Sequence, residues 1–132
     1  MNVVDSCGWL EFFAAGSNAD FFAEPLSDTD SLIVPPISIY EVFKRVLQQH
    51  GESDALKAAA LMQQGTIAEF TADDAFSAAK LSLELGLPMA DAIMLSAART
   101  HGALLWTQDA HFEDLGGTEG VRYAASESDS LL

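Results

Sequence analysis

Short apolar runs alternate with longer segments whose apolar residues recur at helical spacing, and this alternation limits the fold more than any other feature. The runs are Asn2 to Asp5, Leu32-Ile33-Val34 and Ala103 to Trp106. They are too short for helices and read as strands buried on both faces. Strand, helix and strand in succession imply βαβ units, hence an α/β fold with a parallel sheet covered on both faces by helices.

The helical segments have their own boundaries. Trp9, Leu10, Phe12 and Phe13 give Cys7 to Ala14 an apolar face. Ser17 is a candidate cap for a short helix ending before Pro25. Pro35-Pro36 stops the second strand, and Ile37 to Gln49 is helical with Gly51 as its stop. Ser53 is expected to cap a helix through Gln64 with Leu56, Ala60 and Leu61 inward, and Thr66 to Phe70 alternates like a strand. Helices follow over Thr71 to Leu85 and about Met89 to His101, then a helical turn over Ala110 to Leu115 and an edge strand over Val121 to Ala124.

At 132 residues and 49% apolar, the chain is expected to form one domain over residues 1–125, with 126–132 a flexible acidic tail. Cys7 is the sole cysteine, which excludes an internal disulfide and a thiolate metal cage, and makes the cytoplasm the default location. No apolar run is long enough to span a bilayer, and residues 1–5 lack the basic start of a secretory signal, so no membrane role is expected. Twenty Asp and Glu against six Lys and Arg leave a net charge of −14. Such a chain has no general field attracting nucleic acid. Its acids either solvate the surface or gather to hold metal.

Ligands of an open parallel sheet sit beyond the C-terminal ends of its strands. Asp5 and Asp109 lie at two such exits, where helix N-capping is the ordinary alternative. Asp91 opens a segment that is apolar nearly all round, where a carboxylate is costly to bury unless the helix N-terminus favours it. Glu41 lies in an apolar helical stretch, with an i,i+4 pair to Arg45 as its ordinary reading. Together these four can converge on one strand-end cleft. Their mutual repulsion is relieved by divalent cations, which suits phosphodiester cleavage by metal-activated water.

Four segments carry a resemblance to a known family: Val3-Val4-Asp5-Ser6 with Trp9-Leu10, Pro35-Pro36-Ile37-Ser38 leading to Glu41, Leu87-Pro88-Met89-Ala90-Asp91-Ala92, and Leu105-Trp106-Thr107-Gln108-Asp109-Ala110-His111-Phe112. In order and spacing the chain resembles PIN-domain proteins, and among them the VapC-type toxins of toxin–antitoxin pairs. The resemblance implies a three-layer α/β/α sandwich, an Mg²⁺ or Mn²⁺ site, and endoribonuclease activity. It implies Asp5, Glu41, Asp91 and Asp109 as metal-site acids, Ser6 and Thr107 as supporting hydroxyls, and Asp114 as an outer contact, with a surface position its alternative. It further implies a homodimer held inactive by an antitoxin that wraps the toxin and places a basic side chain in the acidic site.

Away from metal, RNA phosphate still needs positive charge, and Lys44 and Arg45 beside Glu41 are the best candidates; no Lys or Arg precedes Lys44, so the N-terminal third offers no phosphate clamp beyond helix N-termini. Weak non-specific RNA affinity and strong metal dependence are the expectation. The surplus acidity is read as solubility and complementarity to a basic antitoxin. A phosphoacceptor receiver is disfavoured because Thr107-Gln108-Asp109 lacks the required Lys, and an Asp-x-Asp phosphatase because Ser6-Cys7 follows Asp5. A non-catalytic PIN-like binding module is the remaining alternative. His101 reads as a helix-end cation and His111 as packed or solvent-facing. Trp9 and Trp106 read as core, Met89 and Met94 need no cofactor, and Cys7 reads as a small buried hydrophobe.

Overall fold

Strand β1 (Asn2–Val4) lies in the middle of a five-stranded sheet, with β2 (Leu32–Val34) and β3 (Thr66–Ile67) to one side and β4 (Leu104–Thr107) and β5 (Val121–Tyr123) to the other. All pairings are parallel, with Val3 opposite both Ile33 and Leu105. The computed structural model describes residues 1–117 and 120–127. The tail anticipated from residue 126 lies mostly outside the described residues.

Side chains alternate across a strand, so each strand feeds two cores. Val4, Leu32, Val34 and Trp106 pack on one face against α1 (Ser6–Phe13), α2 (Ala19–Leu26), α3 (Pro36–His50) and α4 (Glu52–Met62). Val3, Ile33, Leu105 and Val121 pack on the other against α5 (Ala72–Leu85) and α6 (Met89–Thr100). The result is the expected α/β/α sandwich with a parallel central sheet. Trp9 and Trp106 are both core residues.

Several local expectations give way to packing. Helix α2 runs through Pro25 to Leu26 rather than ending before it. Pro25 lies in the last turn, where its missing N–H forfeits a single bond and its buried ring adds to the core. Asn18, not Ser17, flanks the start of α2, and Glu11 accepts its backbone N–H at 2.9 Å. Gly51, at φ 88°, both ends α3 and begins α4, so Ser53 lies inside the helix rather than at its cap. The inner face of α4 is Ala55, Ala58 and Met62, leaving Leu56 and Leu61 exposed. Two alanines let α4 approach the neighbouring core closely, which the bulkier leucines would prevent. β3 stops at Ile67 rather than Phe70: its register with β2 pairs Thr66 and Ile67, and the Ala68 N–H makes a further backbone bond to β2, to the Val34 carbonyl at 3.0 Å.

At the start of α5, Thr71 and Asp74 form a reciprocal capping box. Helices α5 and α6 meet at 116°, and among the described residues no single helix is long and apolar enough to cross a membrane.

The chain steps outward from β1 through β2 to β3, then returns to the opposite side of β1 as β4. That reversal of strand order opens a crevice at the C-terminal ends of β1 and β4.

Candidate metal centre

Asp5 follows β1 directly and caps α1, its Oδ1 accepting the Ser6 N–H at 2.8 Å. The Thr107 hydroxyl, at the end of neighbouring β4, donates to Asp5 Oδ2 at 2.9 Å. Asp109, two residues further, caps the 3₁₀ turn Ala110–Leu115 through a 2.9 Å bond from the His111 N–H. Its own N–H donates to Thr107 Oγ1 at 3.0 Å. Capping and site placement therefore coexist at both strand exits, because a turn from strand into helix presents a carboxylate and free N–H groups together.

Asp91 enters from the opposite layer, in the first turn of α6, and is 7% exposed. Glu41 enters from α3 and accepts the Ser6 hydroxyl at 2.7 Å. Among the described residues no ion pair joins Glu41 to Arg45, so the ordinary helix pairing is not formed. The four acids line one cleft of about 490 Å³, with Ser6, Lys44 and Arg45 also in its wall. Asp114 is exposed and does not line the cleft.

The electrostatics follow from this convergence. Burial pushes Asp5, 4% exposed, up to about 7. The Thr107 and Ser6 hydrogen bonds favour its anion, while Asp91 and Asp109 oppose it. Asp91 is raised to about 6, first by burial and next by Asp109, with His111 acting the other way. Anions held this unfavourably are stabilised by a divalent cation, and an all-oxygen carboxylate set suits a hard one. The residues present thus fit the metal that the acid pattern implies.

Two site residues escape a sequence reading. His111 is exposed, the second of its two expected placements, yet its Nδ1 lies 2.8 Å from Asp91 Oδ2 and 2.9 Å from Asp109 Oδ1. Asp91, Asp109 and His111 offer ligand atoms all within 4.8 Å of one another. The available signal was position, since His111 shares the first turn after the same strand exit as Asp109. Cys7 is half-buried rather than a buried hydrophobe, and its thiol donates to Asp5 Oδ2 at 3.6 Å and touches Thr107 Oγ1 at 3.5 Å. Burial, with Asp5 adding to it, pushes the thiol well above its usual range, which keeps it protonated and a donor. His101, in contrast, sits at the end of α6 with Nδ1 2.9 Å from the Ala97 carbonyl.

The cleft adjoins a larger groove of about 880 Å³ between α1 and the α3–α4 pair, and Cys7, Leu10 and Arg45 line both. Phe13, Val46 and Leu61 provide apolar walls there.

Among solved structures, the fold is similar to a toxin–antitoxin complex from Klebsiella pneumoniae, with a TM-score of 0.74 and 23% identity over 92% of this chain and 95% of that one. It is similar to VapC20 of Mycobacterium tuberculosis, a sarcin–ricin loop cleaving toxin, with a TM-score of 0.71 and 17% identity over 90% and 98%. VapBC2 from Rickettsia felis, bound to a promoter DNA fragment, gives a TM-score of 0.70 and 15% identity over 92% and 97%. No curated protein sequence matches. Residues 3–117 match the family model of the PIN domain, and with that match reaching from β1 through β4 and including all four acid-bearing segments, the chain belongs to the PIN-domain family.

Proposed function

We propose that this protein is an Mg²⁺- or Mn²⁺-dependent endoribonuclease and the toxin of a toxin–antitoxin pair, with residues 1–125 as its nuclease unit. The observation that carries this reading is the meeting of Asp5, Glu41, Asp91 and Asp109, from four separate segments, in one cleft at the switch point of the sheet. A bound divalent cation supplies the Lewis acidity that activates water and stabilises the departing oxygen of a phosphodiester.

The remaining work falls to this chain's own side chains. Thr107, Ser6 and Cys7 hold Asp5 and Glu41 in place by donating to their oxygens. Lys44 and Arg45, both exposed on α3 at the rim, meet phosphates flanking the scissile bond. Lys44 Nζ lies 5.6 Å from the centroid of the Tyr40 ring, so a base stacked on that ring would sit beside a cation.

The structural likeness to toxin–antitoxin complexes supports an antitoxin partner. The groove beside the cleft offers such a partner apolar contacts leading to the acidic site. A homodimer belongs to the same proposal and is tested by light scattering on the purified chain.

The decisive experiment is cleavage of total RNA and of tRNA with and without EDTA, by wild type, Asp5→Asn and Asp91→Asn. Metal-dependent products from wild type alone are expected. Equal cleavage by the variants would assign the activity to a contaminant, and no cleavage by any would favour a binding module.

A further inference from the structure

We propose that His111 is a nitrogen ligand of the metal centre and biases it toward Mn²⁺ and other first-row transition ions over Mg²⁺. The inference rests on reading the acidic cleft as a metal centre. Its basis is the placement of one imidazole nitrogen against two carboxylates from different elements, Asp91 in α6 and Asp109 at the exit of β4.

Nδ1 of His111 stands 2.8 Å from Asp91 Oδ2 and 2.9 Å from Asp109 Oδ1. Adjacent ligands on an octahedral ion at about 2.1 Å are separated by about 3.0 Å. The nitrogen is therefore one ligand spacing from each oxygen, so an ion between the three atoms needs only small shifts. The backbone that presents it is held at both ends. The His111 N–H is bonded to Asp109 Oδ1, and the next residue, Phe112, is fully buried in the α5–α6 core.

An imidazole that carries its proton on Nε2 offers an Nδ1 lone pair to an ion. Mg²⁺ prefers oxygen and gives up water reluctantly, whereas imidazole is a good ligand for first-row transition ions. A nitrogen beside carboxylates thus raises Mn²⁺ affinity more than Mg²⁺ affinity.

The test uses the purified chain as wild type, His111→Gln, His111→Ala and Asp91→Asn, with Mn²⁺ and Mg²⁺ as probes and no RNA. Pulsed electron paramagnetic resonance of bound Mn²⁺ is expected to show nitrogen hyperfine coupling in wild type and none in His111→Gln. Competition of Mg²⁺ against Mn²⁺ is expected to show the preference for Mn²⁺ falling about tenfold in His111→Ala. The side chain is mostly outside the core, so both His111 variants are expected to fold. Bound Mn²⁺ without nitrogen coupling in wild type, or an unchanged preference in His111→Ala, overturns the inference while leaving the metal centre standing. Wild type that binds neither ion, or Asp91→Asn that binds Mn²⁺ as wild type does, overturns the metal-centre reading and this inference with it.

Discussion

The hydroxyl of Thr107 donates to Oδ2 of Asp5 at 2.9 Å, tying the last residue of β4 to the carboxylate just beyond β1. Thr107 is fully buried and its oxygen also accepts the Asp109 N–H, so one hydroxyl positions two of the four acids. Thr107→Val keeps the shape but removes the donor to Asp5 Oδ2 and the acceptor of the Asp109 N–H, leaving Asp5 Oδ2 with only the 3.6 Å Cys7 thiol contact. Metal affinity is expected to fall by about 10- to 100-fold, with Thr107→Ser recovering most of it, as read by calorimetric titration of Mn²⁺. Unchanged affinity in Thr107→Val would remove this residue from the site.

Asp5 and Asp91 carry pKa values raised from 3.8 to about 7 and about 6. Between those values and 3.8 the folded chain holds more protons than the unfolded one, so stability without metal falls as pH rises through that window. Thermal melting in EDTA is expected to be highest near the acid end of the window and lower above pH 7, with a shallower slope in Asp91→Asn. A melting temperature that climbs from pH 5 to pH 8 in EDTA would contradict the assignment.

The same protons compete with metal. Affinity for Mn²⁺ is expected to increase as pH rises from about 6 to 8, and the metal-induced rise in melting temperature to grow with it. Melting curves at fixed Mn²⁺ across that range provide the check.

Gly8 lies where α1 crosses β1 and α2. A Cβ there would come within 2.6 Å of the Phe22 ring and 2.7 Å of Val4 Cγ1. Gly8→Ala is expected to destabilise the fold by about 1–3 kcal/mol through overpacking, measured by urea denaturation. Since α1 begins at the Asp5 cap, a loss of metal affinity should accompany it.

Lys44→Ala and Arg45→Ala are expected to weaken RNA binding while leaving metal binding unchanged, each reducing the salt slope of affinity by roughly one. Fluorescence anisotropy with the inactive Asp5→Asn background measures this without turnover. An unaltered salt slope would place the phosphates elsewhere.

Asp5 and Asp109 were legible as site candidates because strand exits in a parallel sheet are where ligands bind, and Asp91 because an acid in an apolar helix must be compensated. Glu41 was ambiguous, since helical spacing alone offered it Arg45. The structure gives it the Ser6 hydroxyl instead. The inner face of α4 is not legible in the sequence because an Ala-rich helix has no strong apolar stripe, so packing rather than periodicity selects its phase.

The alternation of short apolar runs with helical segments was enough by itself to specify a parallel sheet between helical layers, since each strand needs a helix to return the chain and both faces must be covered. Spacing along the chain also carried the four acids. Only the tertiary structure decided how these acids are partnered. Asp5 meets Thr107 across about a hundred residues, His111 is drawn between Asp91 and Asp109, and Cys7 becomes a donor to Asp5. Hydrogen bonds and ligand distances depend on side-chain direction to within an ångström, and that direction is set by packing between layers rather than by position in sequence.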